Sequence, residues 1–305
     1  MSLEDVYKKY HKAGAVAAEA ADLARSLVKP GVSVRDLGNK VEKFIKQKGI
    51  DWSFPINLSL DDCAAHYSPS VDDDYTLPDE GLLKIDLGTH VDGYIADHAI
   101  TVDIGNSGGV YRKLIDAADE ALKIAVENFH AGIDVVQIGA MIESVIKKHG
   151  FKPIENLGGH NLGQYSLHGG IFVPNVGSGA PYTLQEGDIF AVEPFATTGR
   201  GRVMDGEKML IYRFQKRPKR KLPLQTMSYI EKIRKTFNAL PFSPRWLEGI
   251  IPLKKIPSLI RQLHKQDVLQ GYPILMEVQN GIVSQAEYTI IARDDHGEIT
   301  TVTRA

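Results

Sequence analysis

Apolar positions along the first fifty residues recur with the period of a helix. An Ala-rich stretch runs from His11 to Lys29, a Gly-Val-Ser turn follows, and apolar residues then stand at 34, 37, 38, 41, 44 and 45. The same arrangement returns 101 residues later: a helical stretch over Tyr111–His130, then Gly132-Ile133-Asp134 and a second amphipathic run. Gly31 aligns with Gly132, Gly38 with Gly139, Glu42 with Glu143, Ile45 with Ile146 and Gly49 with Gly150. Ser33 and Asp134 are N-cap residues, with Asp36 and Gln137 placed three residues on to complete capping boxes. Gly49 and Gly150 stand where a helix ends in a left-handed residue. The chain is therefore read as a duplication, each half opening helix, Gly turn, helix.

After each helix pair the pattern turns strand-like. Leu82–Leu87 and Tyr94–Ile104 flank a turn and predict a hairpin. Gly170–Val173, Ile189–Glu193, Met209–Phe214 and Gln279–Arg293 read as further strands. Ser228–Asn238, Pro244–Ile250 and Ile256–Gln270 read as helices that interrupt the second set. The fold class is α+β: two pseudo-equivalent helix-pair-plus-sheet halves in one domain over 1–305, with a helical insert subdomain at 215–270.

Composition narrows the class. A chain of 305 residues with 43% hydrophobic and 24% charged positions is an ordinary globular one that can bury a large core. Its one cysteine, Cys63, excludes an intrachain disulfide and a Cys-rich zinc site. No apolar run approaches the ~20 residues of a membrane-spanning helix, and the N-terminus lacks the build of a signal peptide. A cytoplasmic location is expected. Net charge is −2, yet residues 215–270 hold thirteen Lys/Arg against three Asp/Glu. Such asymmetry marks a segment with a surface role of its own.

Four acids lie in apolar strand contexts. Asp86 sits in Lys84-Ile85-Asp86-Leu87-Gly88 and Asp97 eleven residues on, in the other arm of the hairpin. Alternation along strands lets the hairpin bring both onto one face. Glu193 ends Ile189-Phe190-Ala191-Val192-Glu193, and Glu287 follows Ser284-Gln285-Ala286. Singly, each is read as solvated or salt-bridged. Together they would repel unless cations were present, and two divalent ions would neutralise four negative charges. His160 is the nitrogen-ligand candidate. It shares a Gly-rich segment with His168, where glycines would let backbone approach an ion or substrate. His66 is a third candidate histidine. His98 should point to the opposite strand face from Asp97 and is read as structural. Asp61, Asp62 and Asp72-Asp73-Asp74 read as turn residues.

In Asn57–Pro69, Lys84–Val102, Gly159–Gly169, Val192–Gly201 and Gln285–Arg293 the chain resembles the methionine aminopeptidases of type 2, in the short form without an N-terminal extension. The resemblance covers nearly the whole chain, and its motifs are specific in combination. It implies the pseudo-two-fold pita-bread fold, which agrees with the duplication, and a type 2 helical insert between Glu193 and Glu287. It implies Asp86, Asp97, His160, Glu193 and Glu287 as ligands of two divalent metal ions, with Asp97 and Glu287 bridging. It gives His66 and His168 as catalytic histidines that are not ligands, and Phe54, Leu167, His168 and Tyr272 as residues lining a methionine pocket. Ile211 falls where some longer relatives carry a histidine, so that wall of the pocket would be less polar.

The expected chemistry is hydrolytic release of N-terminal methionine from nascent polypeptides. Two metals would lower the pKa of a bridging water, Glu193 would shuttle a proton, and His66 and His168 would donate hydrogen bonds to the tetrahedral intermediate and substrate backbone. Carboxylate-rich sites with one imidazole accept Mn, Fe, Co or Zn. Two rivals remain: an X-Pro aminopeptidase of the same fold, and a non-catalytic ribosome- or RNA-binding homologue. The latter draws on Arg213–Lys221, with six basic residues in nine, which could contact ribosomal RNA through phosphates or face water as charge runs commonly do. A monomer is expected.

Overall fold

The computed structural model describes residues 2–219 and 222–302. The two helix pairs are α1 (Leu3–Leu27) with α2 (Val34–Gln47), and α3 (Val110–Glu127) with α4 (Val135–Lys148). Alanines 13, 17, 20, 21 and 24 form the buried face of α1, so its backbone lies close to the sheet beneath it. The expected caps are present with one difference. Asp134 and Gln137 close the reciprocal box, whereas at α2 the Ser33 hydroxyl accepts from the Asp36 amide and only that bond forms. Gly49 and Gly150 end their helices at φ of 71° and 85°, in the left-handed region that a side chain disfavours.

Between the helix pairs lie β1 (Asp51–Leu60), β2 (Cys63–Ala65), β3 (Leu82–Val91) and β4 (Tyr94–Asp103). After α4 come β5 (Lys152–Pro153), β6 (Gly158–Asn161), β7 (Phe172–Pro174), β8 (Ile189–Val192), β9 (Phe195–Thr197) and β10 (Val203–Phe214). The segment rich in basic residues then supplies α5 (Leu224–Phe237), two 3-10 turns (Pro244–Leu247 and Leu253–Lys255) and α6 (Ile256–Lys265). The chain closes with β11 (Leu269–Glu277), β12 (Val283–Gln285), β13 (Tyr288–Ala292) and β14 (Gly297–Ile299).

The first half stacks α1 and α2 on the sheet β1-β3-β4, with Leu37, Val41, Ile45, Ile56, Leu58 and Ile85 in its core. The second stacks α3 and α4 on strands that include β8 and β13, around Phe129, Ile138, Ile142, Phe190 and Ile290. The expected two-half layout is thus present, with a separate apolar cluster holding α5, α6 and the turns between them. Among the described residues no helix is long and apolar enough to cross a membrane.

Several boundaries differ from the sequence reading. Gln279–Arg293 is not one strand. The Glu277 carboxylate collects the amides of Gln279 (2.7 Å) and Gly281 (2.9 Å), which turns the chain before β12, and the strand breaks again at Ala286–Glu287. The helix expected to reach Gln270 stops at Lys265, because Asp267 adopts a left-handed φ of 54° and β11 begins at Leu269. Pro244–Ile250 is a 3-10 turn over its first four residues, not an α-helix. In β1 the register shifts on both sides of Phe54. That irregularity accommodates Pro55, which has no amide for a ladder, and it hides the strand from an alternation pattern.

Glu277 also accepts from the Arg200 and Gly201 amides at 2.5 and 3.1 Å. Burial alone would raise its pKa, but four backbone amides hold it below the usual value. A depressed folded pKa gives stability that is present above the unfolded value and is lost as pH falls through the folded one. Glu277→Gln should therefore cost about 2 kcal/mol in urea unfolding at pH 7, and the cost should shrink below about pH 4. An equal cost at both pH values would contradict this role.

Candidate metal centre

The β3–β4 hairpin pairs Asp86 with Ala99 and Gly88 with Asp97, so both acids fall on one face, as alternation predicts. Gly88 is required there. A Cβ on it would sit 2.1 Å from the Ser53 hydroxyl and 2.2 Å from the Phe54 ring. His160 arrives on β6, directly beside Ala191 of β8. Glu193 follows the end of β8, and Glu287 lies between β12 and β13.

The two halves meet along β4 and residues 285–289. Glu287 and Ala99 exchange backbone bonds, with Glu287 donating at 3.0 Å and Ala99 at 3.4 Å. Two residues to either side a threonine hydroxyl completes the pairing. Thr289 Oγ1 accepts the Asp97 amide at 2.7 Å and donates to the Asp97 carbonyl at 2.9 Å. Thr101 Oγ1 accepts the Gln285 amide at 2.9 Å and donates to the Gln285 carbonyl at 2.7 Å. His98 points away from the acids, as expected, and its Nδ1 donates to the Glu287 carbonyl at 2.7 Å.

This seam gathers the five expected ligands. Asp97, His160 and Glu287 each offer one atom within 4.8 Å of the others. His160 Nε2 lies 3.7 Å from both Asp97 Oδ2 and Glu193 Oε1, beyond hydrogen-bond range. Among the described residues no lysine or arginine pairs with any of the four acids. Asp86 Oδ1 and Asp97 Oδ1 are buried without a donor. Burial pushes the Asp86 carboxyl up to about 7, against an Asn57 hydrogen bond that lowers it. Burial first, then the neighbouring carboxylates, raises Asp97, Glu193 and Glu287 well above their ordinary values. Burial and the nearby His168 hold His160 well below its own. Converging oxygens with orphaned lone pairs, one neutral imidazole and no counter-charge form a donor set that fits divalent cations.

The acids line a cavity of about 220 Å³. Phe54, His66, Leu167, His168, Ile211 and Tyr272 line it too, so every residue expected at the site reaches one enclosure. His66 has a left-handed φ of 68°. Its Nδ1 donates to the Pro273 carbonyl at 3.0 Å, which fixes the tautomer and leaves Nε2 unprotonated. Burial lowers the His66 pKa. Burial, then His66 and Arg213, brings His168 down to about 4. Both imidazoles are neutral near pH 7.

Two glycines of the Gly-rich segment also serve strand packing. A Cβ on Gly159 would lie 2.2 Å from the Ala191 carbonyl, and one on Gly158 2.3 Å from that of Val173. These glycines let β6 press against β8 and β7, and Gly158 also lines the cavity. Two polar residues escaped the sequence reading. Asn57 Nδ2 donates to Asp86 Oδ2 at 3.2 Å. Gln285 Nε2 lies 3.1 Å from Glu193 Oε2 and 3.4 Å from Glu287 Oε2. Gln285 stands two residues before Glu287, but the strand breaks between them, so spacing alone does not announce the contact. Pro241, which also lines the cavity, has no local signal.

Residues 8–214 match the model of metallopeptidase family M24. A methionine aminopeptidase of Pyrococcus abyssi is 42% identical over 294 residues, covering 96% of this chain and 98% of that protein. Among solved structures, a thermophilic Arx1 superposes with a TM-score of 0.86 at 17% identity, over 99% of this chain and 92% of that one. The methionine aminopeptidase of Thermotoga maritima does so with a TM-score of 0.72 at 19% identity, over 99% and 98%. At such identities these two structures speak to the fold alone, and both share the pita-bread arrangement described above. By the span of the family match and the full-length relative, the chain belongs to metallopeptidase family M24.

Proposed function

We propose that the chain is a methionine aminopeptidase of the type 2 class, releasing N-terminal methionine from nascent polypeptides by hydrolysis. The observation that carries this reading is a single cavity that ligand-type and apolar side chains share. Asp86, Asp97, His160, Glu193 and Glu287 line the same cavity of about 220 Å³ as Phe54, Leu167, Ile211 and Tyr272, and Asp97, His160 and Glu287 offer ligand atoms within 4.8 Å of one another. Asp86, Asp97, His160, Glu193 and Glu287 would hold two divalent ions of the Mn, Fe, Co or Zn kind. Ions bound there supply Lewis acidity, lowering the pKa of water and polarising the scissile carbonyl.

The chain's own groups supply the rest. Phe54, Leu167, Ile211 and Tyr272 take the methionine side chain out of water. Ile211 is buried in that wall and makes it apolar. His168, neutral and facing the cavity, donates one N–H toward the substrate carbonyl as negative charge develops on it. His66, its Nδ1 proton held by Pro273, presents an acceptor nitrogen to a substrate N–H. That is the reverse of the donor role expected from sequence. Glu193, held by Gln285, takes the proton of the attacking water and passes it to the departing amine. The segment 215–270 between β10 and β11 is the feature that favours type 2 and that we read as an insert subdomain. Pocket size by itself discriminates weakly among apolar residues, so the full-length likeness to the Pyrococcus abyssi protein weighs against the X-Pro reading.

A monomeric enzyme of the cytoplasm that meets its substrate at the ribosome completes the proposal. The basic run Arg213–Lys221 bears on that contact, and Arg220 and Lys221 lie outside the described residues. Arg213 is not free for phosphate, because its guanidinium donates twice to Gln270 Oε1 at 2.7 and 2.9 Å. Lys216 lies 3.4 Å from Asp267. Arg217 and Lys219 are exposed and form the part open to RNA.

Chelator-stripped protein resupplied with each cation in turn should release methionine from Met-Ala-Ser. Glu287→Ala should lower that rate by at least about a thousandfold. Silence with every cation, or an active Glu287→Ala, would remove the assignment. Replacing Arg217 and Lys219 by Gln should weaken a salt-sensitive association with ribosomes in sedimentation while Met-Ala-Ser turnover stays unchanged. Equal co-sedimentation would defeat the ribosome contact.

A further inference from the structure

Glu42 is a buried acid in an amphipathic helix, and its repeat partner behaves differently. Glu143 on α4 is 27% exposed and accepts from Lys147 and the Gly177 amide. Glu42 on α2 is 6% exposed and faces Arg245, itself 8% exposed, from the first 3-10 turn after α5. The guanidinium engages both carboxylate oxygens in a fork. Trp246 Nε1 donates to Glu42 Oε2 at 3.0 Å. The Trp52 and Trp246 rings stack with centroids 4.5 Å apart, and Trp52 Nε1 donates to the Glu42 carbonyl at 2.9 Å.

The pair reaches three pieces of chain that border the cavity. Ile56, two residues past Phe54, donates its amide to Glu42 Oε1 at 3.4 Å. Pro69, three residues past His66, gives its carbonyl to Arg245 Nε at 3.0 Å. Pro241, a cavity residue, precedes Arg245 by four positions. Its neighbour Phe242 exchanges backbone bonds with Tyr212 at 2.7 and 2.9 Å. Neither Glu42 nor Arg245 lines the cavity itself. A buried ion pair gives little net stability compared with apolar packing but constrains geometry through its fork.

We propose that Glu42 and Arg245 are positioning residues for methionine recognition. They fix the spacing of Phe54, His66 and Pro241 and so couple the 215–270 segment to the pocket wall. This rests on the aminopeptidase reading for its substrate, while the coupling of the three segments stands on geometry alone.

The test uses metal-loaded full-length protein with Arg245→Met and the gentler Glu42→Gln, each read in two ways. In steady-state release from Met-Ala-Ser, Arg245→Met should raise KM about tenfold with kcat within about twofold, and Glu42→Gln should move KM less, in the same sense. Amide hydrogen exchange should quicken at 66–72 and 238–242 in both variants and stay unchanged in β3 and β4. A lower rate per mole of protein at unchanged KM would show a merely structural pair and overturn the proposal. So would unaltered exchange at both segments. A wild type that releases no methionine with any cation would instead defeat the aminopeptidase reading, and the exchange result would still decide whether the pair holds the 66–72 and 238–242 segments.

Discussion

The pairing of β4 with residues 285–289 is the constraint on which the rest of the structure depends. Asp97 lies in the first half and Glu287 in the second, and no local sequence brings them together. The Glu287–Ala99 backbone bonds do so, flanked by Thr289 on Asp97 and Thr101 on Gln285. Each threonine hydroxyl both donates and accepts at a buried backbone pair that would otherwise be left open. The seam thus joins the two halves across the pseudo-two-fold and sets where Asp97 and Glu287 stand relative to one another. Gln285 extends that order to Glu193, which reaches the site from a third strand.

Electrostatics sets the second constraint. Four buried carboxylates cannot all be charged without a counter-charge. Without cations, protons take that place, which is the physical meaning of the raised pKa values. Divalent ions resolve the same conflict while keeping the acids charged, so the site is unfavourable as a salt-bridge network and favourable as a metal centre. His160 lies 3.7 Å from Asp97 and Glu193 and shares the cavity with His66 and His168, and burial lowers the pKa of all three.

Much of this was legible in the chain. The duplication gave the paired helices with their caps, because capping and C-terminal glycines are local chemistry. The hairpin acids were legible because strand alternation decides their face. What was not legible depends on distant contacts. The carboxylate of Glu277 bends the chain before β12 by gathering four amides, two of them from residues far earlier in sequence. Glu42 looks like any acid on an amphipathic helix until Arg245 arrives from two hundred residues away. The glycines beside His160 signalled close approach, and only the assembled sheet shows strand carbonyls among the close neighbours. The roles of Asn57 and Gln285 follow from the assembled site, since an amide in a strand announces no partner.

The central claim is that the buried acids hold protons which divalent cations displace. A titration of cation-free protein with Mn(II) at pH 7, by calorimetry in two buffers of different ionisation enthalpy, tests it most directly. The account predicts two ions bound per chain with net release of protons. Carboxyl groups raised in the folded state stabilise below their unfolded values and lose that contribution as pH rises through the folded ones, near 7 for Asp86. The cation-free protein should therefore also lose stability between about pH 5 and 8, and Mn(II) should restore it. Binding without proton release, or stability of the cation-free protein that rises over that range, would contradict the account.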